Sequence, residues 1–238
     1  MDFLNKKIMI VVAHPDDEIL GIGGTINKLV NNYNANIRVV ILGEGITSRS
    51  IERGLIKDNK KLTIHKENIK KAKAFLGYAS LHTENLPDNR FDSIDLLEII
   101  KIIEKQKDIF KPEIVFTHHF GDLNIDHQKT YNAVVTAIRP LPKETVNTII
   151  TFETLSSTEW RPPQEKMLFE PNLFIEINEL NLNSKINAME SYDFEKRDYP
   201  HPRSPDSIKI NAQNHGKNIG VIFAEAFCVL RNVIKING

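Results

Sequence analysis

The chain has 238 residues, 41% of them hydrophobic and 26% charged, enough to bury a sizeable core and unlike a fibrous or disordered composition. Its 31 basic and 31 acidic side chains cancel, so no long-range field favours nucleic acid, an anionic membrane or a polyanionic substrate. The apolar run at the N-terminus, IMIVVA, is too short to span a membrane and leads into Ala-His-Pro-Asp, which is no cleavage site. A cytoplasmic protein is expected. That run, with the preceding lysines, predicts a first strand. DEILGIGGTINKLVNN then spaces Ile19, Ile22, Ile26 and Leu29 as a helix does, and ANIRVVILG reads as a second strand, giving one βαβ unit.

EGITSRSIERGLIKDN shows no period and is expected to be a mobile loop, after which HKENIKKAKAFLG reads as a helix closed by Gly77. SLHTENL predicts a strand, SIDLLEIIKIIEKQKDIF an amphipathic helix begun by Ser93, and PEIVFTHH a buried strand. Asp126 to Ile138 reads as helical, stopping before Pro140. NTIITFET and NLFIEI predict strands, NELNLNSKINAMESY and SPDSIKINAQNHG helices, and VIFAEAFCVL a last strand, within which Cys228 is expected as a buried structural thiol. The alternation predicts an α/β fold, a Rossmann-like three-layer α/β/α sandwich with a mainly parallel sheet. With no long linker or internal repeat, one domain over residues 1–238 is expected.

Ligands of open α/β sheets collect at the carboxyl ends of strands, and the first strand ends in His14-Pro15-Asp16-Asp17-Glu18. Imidazole and carboxylate suit a borderline cation such as zinc, and a short turn lets His14 and Asp17 converge. Asp16, between them, points elsewhere; a carboxylate just outside a metal shell can take a proton from water. The competing reading is that Asp16 and Asp17 only cap the following helix.

A second polar cluster, FTHHFGDLNIDHQKT, follows another buried strand. A catalytic zinc needs about three protein ligands and an open position, and His127 would complete His14 and Asp17. Asp126 either orients a metal-binding imidazole or caps a helix. His118 and His119 point to opposite faces if they continue the strand, and neither is read as a ligand.

Ala13 to Glu18 and Asp126-His127 together resemble the two signatures of the zinc-dependent N-acetylglucosaminyl-deacetylase-like family, the LmbE or PIG-L type. LGEGITSRS, KAKAFLG, LPDNRF, PHPRSPDSI and HGKNIGVIFAEAF extend the resemblance along most of the chain. It implies one zinc ion per chain on His14, Asp17 and His127, Asp16 as general base, and family members that are often homo-oligomers. Two positions depart from the pattern. Asn124 stands where many members carry a histidine that stabilises the oxyanion or protonates the leaving amine. An amide donates a hydrogen bond but is no acid near neutral pH, so His215, His201 or His119 is expected to supply the proton, His215 first. His65 stands where many members carry a substrate-contacting arginine, a role Arg49 can take.

The expected reaction is removal of the N-acetyl group from an amino sugar or amino-sugar conjugate, with Arg49, Asp88, Trp160 and Arg203 as candidate sugar contacts. The alternatives are an amidase acting on another acyl-amine, such as a thiol-cofactor or antibiotic precursor, and a metal-binding homologue without catalysis. A nucleotide-binding module, suggested by GIGG, is disfavoured because the glycines lack the G-x-G-x-x-G spacing and fall within the first helix.

Overall fold

Alternate residues of strand β1 (Lys7–Val12) divide the core: Ile8, Ile10 and Val12 join one apolar cluster, Met9 and Val11 the other. A strand apolar on both faces belongs inside a parallel sheet, where helices cover it from both sides. The computed structural model, which describes residues 1–49, 56–163 and 167–234, places it there. β2 (Asn36–Gly43) and β3 (Ser80–Leu86) extend the sheet on one side of β1, and β4 (Ile114–His118) and β5 (Thr148–Phe152) on the other. β6 (Leu173–Glu176) and β7 (Ala224–Asn232) complete the order β3-β2-β1-β4-β5-β7-β6. β1 to β5 pair in parallel, and β7 runs antiparallel to both its neighbours.

Helices α1 (Asp17–Tyr33), α2 (Ile56–Leu76), α5 (Glu179–Glu190) and α6 (Pro205–Asn218) contribute to the cluster on one face. α3 (Leu96–Phe110) and α4 (Ile125–Ala137) contribute to the cluster on the other. The three-layer α/β/α expectation holds, with all seven strands where the sequence predicts them. Cys228 is buried, its Sγ donates to the Glu170 carbonyl at 3.2 Å, and burial pushes the thiol up to about 11. No helix among the described residues is long and apolar enough to cross a membrane.

Two boundaries differ from expectation. α2 begins at Ile56, inside the stretch read as a loop, and a 3-10 turn occupies Thr47–Arg49; residues 50–55 lie outside the described ones. α3 begins at Leu96 behind Asp95, not at Ser93. Phe91 is fully buried and its N–H donates to Asp126, so residues 91–93 are drawn into a separate 3-10 turn against the core. The GIGG glycines lie inside α1, where a Cβ on Gly21 would come within 2.1 Å of the Phe152 ring, so they serve packing and form no phosphate-binding turn.

The chain runs outward from β1 to β3 and then crosses back to β4 on the other side of β1. The carboxyl ends of β1 and β4 thus flank the point where strand order reverses, the place where open α/β sheets form a crevice.

Candidate active site

Past β1 the backbone turns sharply through Asp16, whose φ of 96° is left-handed. For a residue other than glycine that conformation costs about 1–3 kcal/mol, and it persists where surrounding contacts enforce it. Asp17 Oδ2 folds back to accept the His14 N–H at 2.8 Å. Asp16 occupies the N-cap position of α1 yet makes no side-chain cap bond. The capping reading therefore fails for Asp16, which turns into the cavity instead.

Ligand atoms of His14, Asp17 and His127 lie within 4.8 Å of one another, and all three residues are buried. His14 Nδ1 is 3.5 Å and His127 Nε2 3.3 Å from Asp17 Oδ2. Each imidazole has a carboxylate at its far nitrogen. His14 Nε2 meets Asp126 Oδ2 at 2.9 Å. His127 Nδ1 is 3.1 Å from Asp122 Oδ1, a close ion pair without hydrogen-bond alignment. Asp122 is fixed by the Ser157 hydroxyl, by Thr158 Oγ1 at 2.6 Å and by the Asn124 N–H at 2.8 Å. Two imidazoles and a carboxylate, with outer carboxylates setting ring orientation, are a donor set suited to a divalent cation of zinc type. A second triplet, His14, Asp88 and Asp126, is equally close. It would take the imidazole nitrogen that Asp126 orients and leave His127 unused, so the first set fits better.

The charges of these groups act strongly on one another. Burial opposes ionisation of Asp17, but the charge and hydrogen bond of His127, with a hydrogen bond from His14, outweigh it and hold the carboxyl well below its usual range. Burial likewise opposes protonation of His127, yet Asp17 and Asp122 push it up to about 9. A cation binding here displaces protons from the imidazoles. His118 stacks on His127 at 3.9 Å; its Nε2 accepts the Ala13 N–H at 2.9 Å and its Nδ1 meets Thr154 Oγ1 at 3.1 Å. Burial and the His127 charge push it down to about 3, so it is a neutral strut between strand ends. His119 turns away, toward the Met167 carbonyl at 3.3 Å.

His14, Asp16, Asp17, Asp88, Asn124, His127 and Arg203 line one cavity of about 90 Å³. Burial, with Asp17 and Glu195 adding to it against Arg203, pushes Asp16 up to about 7. Arg203, expected as a sugar contact, donates to Asp16 Oδ2 at 3.0 Å, to Glu195 and to Ser156 Oγ at 2.8 Å. These bonds engage Nε and Nη1 with protein groups, while Arg203 still lines the cavity. Asp88 accepts the Ser48 N–H at 3.1 Å. Asn124 caps α4 by accepting the Asp126 N–H at 2.8 Å and donates to Asn89 at 3.0 Å. Asp126 is therefore an orienting group and not the cap.

His215 is not brought to this cavity. It faces a separate one, with Nε2 2.5 Å from Glu153 Oε1 and its ring near Phe174, because α6 packs toward the outer strands. Trp160 is 51% exposed, edge-on to His201, and does not line the cavity. The side chain of Arg49 lies outside the described residues. The sequence reading missed Glu195 and the roles of Asp122, Ser156 and Ser157. The two serines follow β5, so the carboxyl-end rule could have found them; nothing local marks Glu195.

The family model described as "PIG-L: GlcNAc-PI de-N-acetylase" matches residues 9–138, more than half the chain, including His14, Asp17 and His127. A protein named "Uncharacterized deacetylase YaiS" from Escherichia coli K12 is 26% identical over 197 residues, covering 79% of this chain and 90% of that one. The N,N'-diacetylchitobiose deacetylase of Pyrococcus horikoshii superposes with a TM-score of 0.71 at 19% identity, over 95% of this chain and 84% of that one. GalB, the 4-carboxy-2-hydroxymuconate hydratase of Pseudomonas putida KT2440, superposes with a TM-score of 0.73 at 19% identity, over 98% and 99%. The two superpositions establish a shared fold, and that fold carries two reactions. The match over residues 9–138, with the chain's Ala-His-Pro-Asp-Asp-Glu and Asp-His stretches meeting in one cavity, shows that this chain belongs to the PIG-L family.

Proposed function

We propose that the chain is a zinc-dependent N-deacetylase that hydrolyses the acetamido group of an amino sugar or amino-sugar conjugate. The observation that carries this reading is the buried triplet of His14, Asp17 and His127 beside a carboxyl, Asp16, pushed up to about 7 in the same cavity. Zinc, held by His14, Asp17 and His127, would supply polarisation of the acetyl carbonyl and a lowered pKa for a neighbouring water.

Asp16 takes a proton from the attacking water. Arg203 engages its Oδ2, so Oδ1 is the oxygen left for that proton, and a pKa near neutrality suits a general base. Among the described residues lining the cavity, those that titrate and lie outside the metal triplet are Asp16, Asp88 and Glu195. Asp88 is tied to Ser48 and Asn89 and Glu195 to Arg203, so Asp16 also returns the proton to the departing amine. The amide N–H of Asn124 not used by Asn89 can donate to the developing oxyanion but supplies no proton.

An amino sugar is supported by the family description and by the diacetylchitobiose deacetylase among the structural neighbours. The acceptors of Asp88 and Asn89 at the cavity wall suit sugar hydroxyls. Incubating zinc-loaded protein with N-acetylated sugars, nucleotide sugars and other acyl-amines, with acetate and free amine followed by NMR, tests the proposal. Acetate and amine in equal amounts are expected from at least one N-acetylated sugar. Release only from another acyl-amine would assign a different amidase, and stoichiometric zinc without turnover on any substrate would leave a metal-binding homologue.

A further inference from the structure

Lys185 and Glu225 form a buried ion pair against the middle of α1, each about 5% exposed, and neither lines the cavity. Glu225 Oε1 accepts the Gly24 N–H at 3.1 Å and Oε2 the Thr25 N–H at 2.6 Å. Lys185 Nζ donates to the Leu20 carbonyl at 2.8 Å and to Glu225 Oε1 at 2.5 Å. In a regular helix the Gly24 N–H meets the Leu20 carbonyl; here the two charges engage both groups. The glycines of GIGG make room for this: a Cβ on Gly24 would lie 2.7 Å from Ile177 and 3.3 Å from Glu225, and one on Gly23 3.1 Å from Lys185.

We propose that the Lys185–Glu225 pair is a positioning device that fixes the axial register of α1 and thereby the placement of Asp16 and Asp17. α1 has other directional contacts toward its ends, Tyr192 with Glu18 at 3.4 Å and Asn27 with Asn181 at 2.9 Å and the Phe75 carbonyl at 3.2 Å. Only this pair is charged and engages the backbone at its middle, where Ile19, Leu20, Ile22 and Ile26 make apolar, non-directional contacts. They hold the helix against the sheet but resist sliding weakly. Metal–ligand distances tolerate about 0.2 Å, whereas one residue of helical rise is about 1.5 Å, so a fraction of a residue's slip would spoil the triplet. Leu20 is the carbonyl one turn beyond Asp17, so the pair grips α1 next to the residues it places. Fixing register is the best-attested use of buried polar groups. Glu225 comes from β7 and Lys185 from α5, so the sheet and the neighbouring helix both fix the position.

The proposal rests on the metal-site reading above. Its test is the zinc dissociation constant, by competition with a chelator, for the wild type and for Glu225→Gln, Lys185→Met and Lys185→Arg. Ile99→Ala, in the opposite layer, serves as a control of matched thermal destabilisation. Glu225→Gln and Lys185→Met are expected to weaken zinc binding at least tenfold, while Lys185→Arg, which keeps the charge and donors, and Ile99→Ala stay within threefold. Lys185→Met carries the test alone if Glu225→Gln does not fold. Wild-type affinity in the uncharged variants, or an equal loss in Ile99→Ala, overturns the positioning role. A wild-type protein that takes up no zinc overturns the site reading and the positioning role with it.

Discussion

Arg203 donates from Nη1 to Asp16 Oδ2 at 3.0 Å across 187 residues of sequence, and the same nitrogen bonds Glu195. Burial raises the Asp16 pKa, and the Arg203 charge is the largest effect opposing it. Arg203→Gln removes that opposition and leaves Asp17 and Glu195 repelling the ionised form. A base works when ionised, so activity rises as pH passes upward through its pKa. The acidic limb of kcat/KM is therefore expected to move to higher pH in Arg203→Gln, with kcat at neutral pH reduced about tenfold or more. A pH–rate profile whose limb stays in place would mean that Arg203 does not act through Asp16.

Asp16→Asn keeps the shape and cannot take a proton. Because Asp16 stands outside the triplet, the variant is expected to hold zinc in wild-type proportion while turnover falls about 10²–10⁴-fold. Metal analysis of the purified variant beside its steady-state rate checks both halves. Loss of the metal together with activity would make Asp16 a ligand.

The outer carboxylates should be graded against the ligands they orient. His127→Ala removes one of three donors and is expected to abolish stoichiometric zinc. Asp122→Asn leaves His127 in place but removes the charge 3.1 Å from its Nδ1, which predicts about 10–100-fold weaker zinc binding. Chelator competition on both variants gives the order; equal loss in the two would move Asp122 into the ligand set.

The clustering of His14, Asp17 and His127 was legible because these residues follow strand ends, and strand ends are marked by where apolar runs stop. AHPDD and NIDH each announce such an end, and the carboxyl-end rule makes them neighbours once both strands lie in one sheet. What the sequence withheld depends on distant partners. That Arg203 backs Asp16, that Glu195 backs Arg203 and that Asp122 faces His127 follow from how the C-terminal helices and the β5 loop fold over the strand ends. No local periodicity encodes that. The start of α3 was misread for the same reason: Ser93 is a good cap in isolation, but burial of Phe91 and its bond to Asp126 claim residues 91–93 first. GIGG was discounted as a nucleotide signal from its spacing and its place inside the first helix, and its glycines indeed serve close packing in α1.

His215 remains the clearest test of the single-carboxyl mechanism. It was the expected proton donor, yet it faces a different cavity and bonds Glu153, whose second partner is Asn211 at 2.9 Å. His215→Gln is therefore expected to leave both limbs of the pH–rate profile in place. Its effect should appear in stability. Burial opposes ionisation of Glu153, but the bond from His215 outweighs it and the pKa is lowered below 4.5. A lowered carboxyl pKa contributes stability above the unfolded value and loses it as pH falls through the folded one. The variant should thus be about 1–3 kcal/mol less stable than wild type at neutral pH, with the difference shrinking below about pH 4.5. Urea unfolding at pH 7 and pH 4 measures that difference, and a displaced basic limb in the rate profile would restore His215 as the acid.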